Sequence, residues 1–560
     1  MTSGMIRIFF ILFFILTSSQ SDFVWALDSP SEVVQKEWSF YSIGLTPVQA
    51  GGRIKPLDSF AREVVLFTFG SRSYHGWNAV DLILSWIAAP QFWNSQPFIQ
   101  VGREDVRRQL GLDKKRVFYS PEELLKNPIV VQYAERAAGE LKGSQPPGAP
   151  RSLPRDQELK AVFDRVSLFH SLVSGQGWLL IPKPAPQTWL SLVDGDPEGQ
   201  LIRSQFVEML KSYQSADQQA FQRSGFLFRA AIEGEIPFYR EESKNRVAAE
   251  TLYNYLRPFG FAWVTYLIAG FIWIFASWKK RSARLQARVT QFALGFTFLA
   301  MSAHILGFGL RCFVAGRPPV TNMYESVVWV SLGIMIFANI LYFIHRQGII
   351  FVVATFLAVL GLIVGDVAPA VLDPSIHPLV PVLRSNYWLT IHVLTITLGY
   401  AAFALTMGLA NITLFQFLRK PNSEKVLTLN QLTYRAMQFG VVLIAAGTIL
   451  GGIWADYSWG RFWGWDPKEV WALITLLCYL VILHGRYTNW VGQFGFAAWS
   501  AVSFMSVVMA WYGVNFILGV GLHSYGFATG GTPWVMGFVA VQLLYVLIVT
   551  GVFFKNKASY

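Results

Sequence analysis

The sequence WGRFWGWDPKE, residues 459–469, lies between two long apolar segments. Its three tryptophans and one phenylalanine offer flat apolar surfaces, and its glycines let a backbone approach a ligand closely. Aromatic rings also gather at membrane interfaces because they are amphipathic. Four such rings in eleven residues favour more than an interfacial belt, and they suit a large planar ligand held at the face of a bilayer.

The end of this run predicts the sharp start of a helix. Asp466 is suited to the N-cap, Pro467 to the first helical position and Glu469 to the third, which together form a capping box. We interpret helix capping as the main role of the two carboxylates. A helix that begins here would fix the aromatic run above the end of the following apolar segment.

The rest of the chain has two halves of different composition. Over 560 residues, 53% are hydrophobic, 16% aromatic and only 14% charged, but residues 27–257 are mixed and charge-bearing. From residue 258 onward, apolar runs of membrane-spanning length follow one another. Nine spans are predicted, at residues 259–277, 289–310, 323–344, 349–366, 388–418, 437–454, 468–485, 494–519 and 534–554.

The net charge of +12 comes from basic residues that are distributed as in a membrane protein. It therefore does not indicate nucleic acid as a partner. Basic residues cluster in the short loops 279–288 and 419–425 and near the C-terminus at 555–557, which is typical of cytoplasmic segments. This orientation puts residues 27–257, the loop at 458–469 that carries the aromatic run, and the loop around His523 on the exported side. An odd number of spans agrees with an exported N-terminal half and a cytoplasmic C-terminus.

Residues 1–26 combine Arg7, an apolar run and small residues near position 26, so they read as a signal peptide or an N-terminal anchor. The exported domain at 27–257 is expected to be mostly helical. Apolar periodicity predicts helices within 122–142 and 204–231, a linker is expected at 144–150, and a structural turn is expected in the segment 51–62. The sequence indicates no role for this domain.

The chain has only two cysteines, Cys312 and Cys478, and they lie far apart in the sequence. The chain has no Cys-x-x-Cys and no Cys-x-x-Cys-His motif, which excludes a covalent c-type cytochrome and a thioredoxin-like reductant by their usual signatures. Both cysteines are interpreted as small hydrophobic side chains.

Four segments in this order resemble one known family. They are GRPPVTNMYES at 316–326, YWLTIHV at 387–393, the aromatic run itself and GLHSYGF at 521–527. Together they are similar to the CcsA (also called ResC) family, the polytopic half of the System II cytochrome c synthase, whose tryptophan-rich signature is called WWD. The resemblance covers residues 259–560 and implies an all-α polytopic membrane protein of the bacterial inner (cytoplasmic) membrane.

The resemblance also implies a site for haem b, bound non-covalently. His392 and His523 match the histidines that flank the WWD run in the family, and would be the axial ligands of iron at the exported face. Trp459, Trp463 and Trp465 would contact the macrocycle, and Asp466 lies beside them. Arg461 and Lys468 would neutralise propionates.

His484 lies near the cytoplasmic end of its span and matches a histidine that helps bind haem within the membrane in the family. Ionisable residues inside a span are functional candidates by default. His304, also inside a span, is expected to make a helix–helix hydrogen bond instead, while His345 and His377 are expected to be solvated.

The implied function is cytochrome c maturation as a component of a holocytochrome c synthase, with no catalytic residue of its own. Haem would be carried to the outer face and presented to the Cys-x-x-Cys-His segment of an apocytochrome c. The implied partners are a ResB/CcsB-like membrane protein and thiol-reducing proteins that keep the substrate cysteines reduced. A haem-delivery protein of the CcmC or CcmF type and an electron-transferring membrane cytochrome b are the alternatives.

Overall fold

The computed structural model describes residues 38–133, 154–184, 187–234, 241–278, 282–369, 371–379, 385–518 and 531–558. The expected signal peptide or anchor at 1–26, the linker at 144–150 and His523 lie outside these ranges. The two largest hydrophobic cores of the described residues lie in the N-terminal domain, called the exported domain after its predicted location, and in the helical bundle that follows it.

The exported domain is mostly helical, as expected, with three short antiparallel hairpins. Its helices are α1 Tyr41–Gly44, α2 Leu57–Phe69, α3 Ala79–Ala88, α4 Pro90–Ser95, α5 Glu104–Gln109, α6 Pro121–Leu125, α7 Pro154–Val173, α8 Gln200–Gln214 and α9 Gln218–Gly234. Its strands pair as β1 Pro47–Ala50 with β2 Arg53–Pro56, β3 Ile99–Gln100 with β4 Phe118–Tyr119, and β5 Leu179–Ile181 with β6 Leu190–Ser191.

The turn expected in the segment 51–62 is present at Gly51-Gly52, which connect β1 to β2 with Ala50 opposite Arg53. Their φ angles are 59° and 79°, which glycine adopts without the steric cost that a Cβ brings.

Both periodic segments predicted in this domain are broken where a side chain caps a new helix. Within 122–142, α6 ends at Leu125, and the side chain of Asn127 accepts a hydrogen bond from the amide of Ile129 (3.1 Å) as helical structure resumes. Within 204–231, Asp217 accepts from the amide of Ala220 (3.0 Å) between α8 and α9. Local capping overrides the apolar periodicity at both positions.

Nine helices within the described residues are long and apolar enough to cross a membrane. The chain is therefore a multi-pass membrane protein, and the predicted count is confirmed. In order, spans 1 to 9 are Ser243–Ser277, Ala283–Ala315, Met323–His345, Ile349–Val367, Asn386–Arg419, Glu424–Trp459, Pro467–Tyr487, Gln493–Leu518 and Thr532–Asn556.

Span 5 occupies the centre of the bundle, in contact with spans 3, 4, 6, 8 and 9. Glycines allow its close approach to span 6. A Cβ on Gly447 would lie 2.8 Å from the Cα of Ile396, and one on Gly440 would lie 2.4 Å from the ring of Phe403. Small residues at such contacts let helix backbones pack tightly in membranes.

Candidate functional site

His392 lies in a π-helical turn, Leu389–Val393, at the beginning of span 5. Single π-helical turns inside α-helices often mark functional positions. The Nδ1 atom of the half-buried imidazole donates a hydrogen bond to the carbonyl oxygen of Gly447 (2.8 Å). Because the acceptor is a carbonyl, this bond places the proton on Nδ1 and leaves the lone pair on Nε2, which is the state that ligates a metal.

Two residues of span 6, Gly451 and Trp454, fix the position of this ring. A Cβ on Gly451 would lie 2.6 Å from the Cε1 atom of His392, so only glycine leaves the space that the ring occupies. One turn further on, Trp454 meets the imidazole edge to face, with ring centroids 5.7 Å apart. Span 6 thus holds the ring by one hydrogen bond and one aromatic contact.

His392 lines a cavity of about 150 Å³. Spans 3, 5, 6, 7 and 8 form this cavity together with the WWD loop. Its walls include the rings of Trp454, Trp463 and Trp511. Lys468 and Asn515 provide polar groups, and the Nζ atom of Lys468 donates to the Oδ1 atom of Asn515 (3.0 Å). The cavity therefore combines a neutral imidazole, aromatic faces and one cation.

The three tryptophans of the WWD loop have different environments. Trp463 is half-buried and lines the cavity. Trp465 is 72% exposed, has a φ of 57°, and meets Trp463 edge to face with centroids 6.0 Å apart. Trp459 lies outside the cavity wall, beneath the guanidinium of Arg461, 5.7 Å from the ring centroid.

The predicted capping box at the start of span 7 is confirmed. Asp466 accepts from the amide of Lys468 (3.1 Å), and Glu469 accepts from the amide of Asp466 (3.1 Å). Glu469 also accepts from the amide of Gly464 (2.8 Å) within the loop. The capping carboxylates therefore fix the WWD loop as well as the helix.

Sequence reasoning missed Trp454, Trp511 and Asn515 as parts of this site. Trp511 and Asn515 lie one turn apart in a second π-helical segment, Met509–Leu518, and the indole of Trp511 donates to the hydroxyl of Ser326 (3.0 Å). A tryptophan in an apolar span reads as an ordinary membrane residue, so only the packing of spans 3 and 8 identifies it.

Comparison with known proteins places this site in a family. The model of the family described as cytochrome C assembly protein matches residues 320–523. Over 260 residues the chain is 33% identical to the cytochrome c biogenesis protein CcsA of Guillardia theta, covering 84% of that protein and 41% of this chain. The chain belongs to the CcsA family of cytochrome c biogenesis proteins.

Two further relatives extend the comparison. The CcsA protein of Prochlorococcus marinus (strain NATL2A) is 33% identical over 256 residues, 39% of this chain and 79% of the relative. Protein NrfI of Wolinella succinogenes is 30% identical over 504 residues, 85% of this chain. The chain spans only 53% of NrfI, and a match this long necessarily extends into the exported domain.

Of the other two histidines that the CcsA resemblance singled out, only His484 lies within the described residues. His523 falls outside them. His484 lies in the last turn of span 7, roughly 26 Å along the helix from Pro467, and its ring is exposed on the bundle surface. Its Nδ1 atom donates to the carbonyl of Leu480 (2.7 Å), which leaves the Nε2 lone pair pointing away from the backbone.

The remaining intramembrane histidine is structural, as expected. The Nε2 atom of His304 donates to the carbonyl oxygen of Val328 (3.1 Å) and ties span 2 to span 3.

His377 lies in the loop 371–379, where it is largely exposed, and contacts Asp373 (3.0 Å). Burial by itself would raise the pKa of Asp373, but hydrogen bonds from His377 and Ser375 lower it to about 2. Asp373 therefore stays ionised at neutral pH and keeps the loop folded on itself.

A second and larger cavity, about 410 Å³, lies between the exported domain and the bundle. Side chains of both charges line it, and each of Arg62, Arg72 and Arg311 already has a carboxylate partner within 3.2 Å. It contains no residue that the sequence analysis assigned to the site.

Proposed function

We propose that the cavity beside His392 binds haem b and presents it for attachment to an apocytochrome c. The supporting observation is the hydrogen bond from Nδ1 of His392 to Gly447, which directs the Nε2 lone pair to iron in a cavity walled by tryptophans. His523 would supply the second axial nitrogen, and two neutral imidazoles make a low-spin haem.

The polar groups of the cavity suit the propionates of the same ligand. Lys468, in contact with Asn515, would neutralise one carboxylate, and Arg461 at the loop would meet the other. Trp463 would cover part of the macrocycle, with Trp459 and Trp465 forming the outer rim.

Thioether attachment needs positioning more than it needs a protein nucleophile. Each cysteine S–H of the substrate's Cys-x-x-Cys-His segment adds across a haem vinyl C=C, so that sulfur bonds to one carbon and hydrogen to the other. The substrate thiols must be reduced beforehand, which requires thiol-reducing partners. The contribution of this chain would be proximity and orientation.

We further propose that haem arrives through a membrane site at His484. Its exposed position on the bundle surface suits a second ligand from a neighbouring membrane protein of the ResB/CcsB type. The exported face would be that of the bacterial cytoplasmic membrane.

The direct test is removal of the imidazole that the cavity positions. The His392→Ala protein, purified with its partner, should lose the low-spin bis-histidine spectrum and holocytochrome c formation, and added imidazole should restore both. His345→Ala is the matched control, because His345 lies at the end of span 3 opposite Met323, which lines the cavity, and is itself outside the cavity. Normal activity of His392→Ala without imidazole would refute the ligand assignment.

A further inference from the structure

The GRPPVTNMYES motif surrounds a buried carboxylate. The side chain of Glu325 has no exposed surface, and it accepts from Arg311 (2.8 Å) and from Arg317 (3.3 Å). Its Oε2 atom also accepts from the amide (3.0 Å) and the hydroxyl (2.9 Å) of Thr321. We call Arg311, Arg317 and Glu325 the brace. Removing one member would leave a buried charge without its partner, which is strongly destabilising.

On one side the brace contacts the wall of the His392 cavity. Thr321 and its neighbour Val320 line that cavity. Val320 also packs in one hydrophobic cluster with Leu389, which lies in the π-helical turn of His392 and is 1% exposed. Trp454, the aromatic neighbour of the imidazole, belongs to the same cluster.

On the other side the brace holds the loop 371–379 by its backbone. Arg311 donates to the carbonyl of Pro374 (2.7 Å), and Arg317 donates to that of His377 (2.8 Å). Each arginine therefore joins Glu325 to the loop through a charge-assisted hydrogen bond.

The same loop is held from the exported domain. The Nε atom of Arg53, which follows the Gly51-Gly52 turn, donates to the carbonyl of Ile376 (2.7 Å). Its two Nη atoms bind Glu250 in a bidentate pair (2.6 and 2.7 Å) at the start of span 1. Continuous polar and packing contacts thus run from the exported hairpin to the His392 turn.

We propose that the exported domain sets the position of the His392 turn through Arg53, the loop 371–379 and the brace, and so controls how tightly the site holds haem. Arg53 and Glu325 are positioning residues in this scheme. The part concerning haem rests on the function proposed above, whereas the control of the turn does not. A domain that binds a partner outside the membrane would thereby have a physical route to the ligand.

The first test uses the haem-free full chain. Arg53→Ala should speed hydrogen–deuterium exchange of the amides in 386–393 about fivefold. Arg62→Ala is the matched control, because Arg62 pairs with Asp58 inside α2 (2.8 Å) and does not contact the loop. Unchanged exchange in Arg53→Ala, or equal acceleration in Arg62→Ala, would overturn the proposal.

The second test measures haem loss from the loaded protein to excess apomyoglobin. Arg53→Ala should raise the rate of loss about fivefold, with the protein still low-spin, and Arg53→Lys should fall between it and the wild type because lysine keeps the charge but not the fork. Glu250→Gln, which weakens the bidentate pair that holds Arg53 and lies outside the His392 cavity, should raise the rate even if Arg53→Ala assembles poorly.

The outcomes of the two tests separate the two proposals. A wild-type protein that binds no haem but still shows the Arg53 effect on exchange would refute the proposed haem site and support the coupling. Haem binding with rates of loss equal in wild type, Arg53→Ala and Glu250→Gln would refute the coupling and leave the haem site standing.

Discussion

The orientation of His392 is set by a backbone carbonyl, which cannot be removed by mutation of a side chain. The Gly447 carbonyl fixes the tautomer, while Trp454 limits ring rotation. In metal sites this kind of outer contact fixes the ring and raises the basicity of the ligating nitrogen. At the same scale, the WWD tryptophans differ because only Trp463 lines the cavity.

This difference predicts unequal effects of two substitutions in the loop. Trp463→Ala removes an apolar wall and should weaken haem binding about tenfold or more. Trp465→Ala changes a largely exposed ring and should weaken it by less than about twofold. Haem titration of both purified variants checks this, and a larger loss for Trp465→Ala would mean that the exposed ring makes the main contact.

Asp466 allows capping to be separated from a charge effect on haem. Asp466→Asn keeps the N-cap acceptor, so it should accumulate and bind haem normally. Asp466→Ala should lower the stability of the first turn of span 7 by about 1 kcal/mol, measurable as faster amide exchange there. Haem loss in Asp466→Asn as severe as in Trp463→Ala would show that the carboxylate charge acts on the ligand.

At the scale of elements, the site depends on how closely spans 5 and 6 approach. Gly447 and Gly451 lie one turn apart on span 6 and face Ile396 and His392, where any Cβ would overlap existing atoms. The backbone of span 6 is thus both a packing surface and the acceptor for His392. A helix with larger residues at these positions would move the imidazole away from the cavity.

The corresponding prediction is that Gly451→Ala displaces His392. Overpacking of this kind costs about 1–3 kcal/mol, so haem affinity should fall about tenfold. Gly295→Ala on span 2 is the control, because a Cβ there meets nothing within 4 Å. Difference spectra during haem titration report both variants, and wild-type affinity in Gly451→Ala would show that the ring does not depend on this contact.

For the whole molecule, one end of the bundle carries the exported domain, the loop 371–379, the WWD loop and the opening beside His392. The basic residues near 282–288 and 419–425 flank the connections between spans 1 and 2 and between spans 5 and 6, at the opposite ends of those helices. A shared end is what a site needs if substrates outside the membrane are to reach the haem.

Topology is therefore testable with two exposed serines, after Cys312 and Cys478 are replaced. Ser458→Cys, beside the WWD loop, should react with a membrane-impermeant maleimide in whole cells or spheroplasts. Ser282→Cys, before span 2, should react only after the membrane is permeabilised, because basic loops remain in the cytoplasm. The reverse pattern would invalidate the orientation and the proposed route of haem.

The sequence by itself determined the nine spans and the cap at Asp466, because span length and capping depend on residues adjacent in the chain. It also marked His392 and the aromatic run, although through resemblance and not through geometry. Helical structure within 122–142 and 204–231 is confirmed in the described residues, but the pattern did not show the breaks at Asn127 and Asp217, where new helices start.

Only the tertiary structure decided what surrounds His392. Its hydrogen bond to Gly447 joins residues 55 positions apart, and the bond from Arg53 to Ile376 joins residues 323 positions apart. No periodicity or local motif encodes such pairs, since they arise when helices pack and buried polar groups must find partners. The sequence therefore specified the elements and the candidate ligand His392, and packing specified the cavity and its connection to the exported domain.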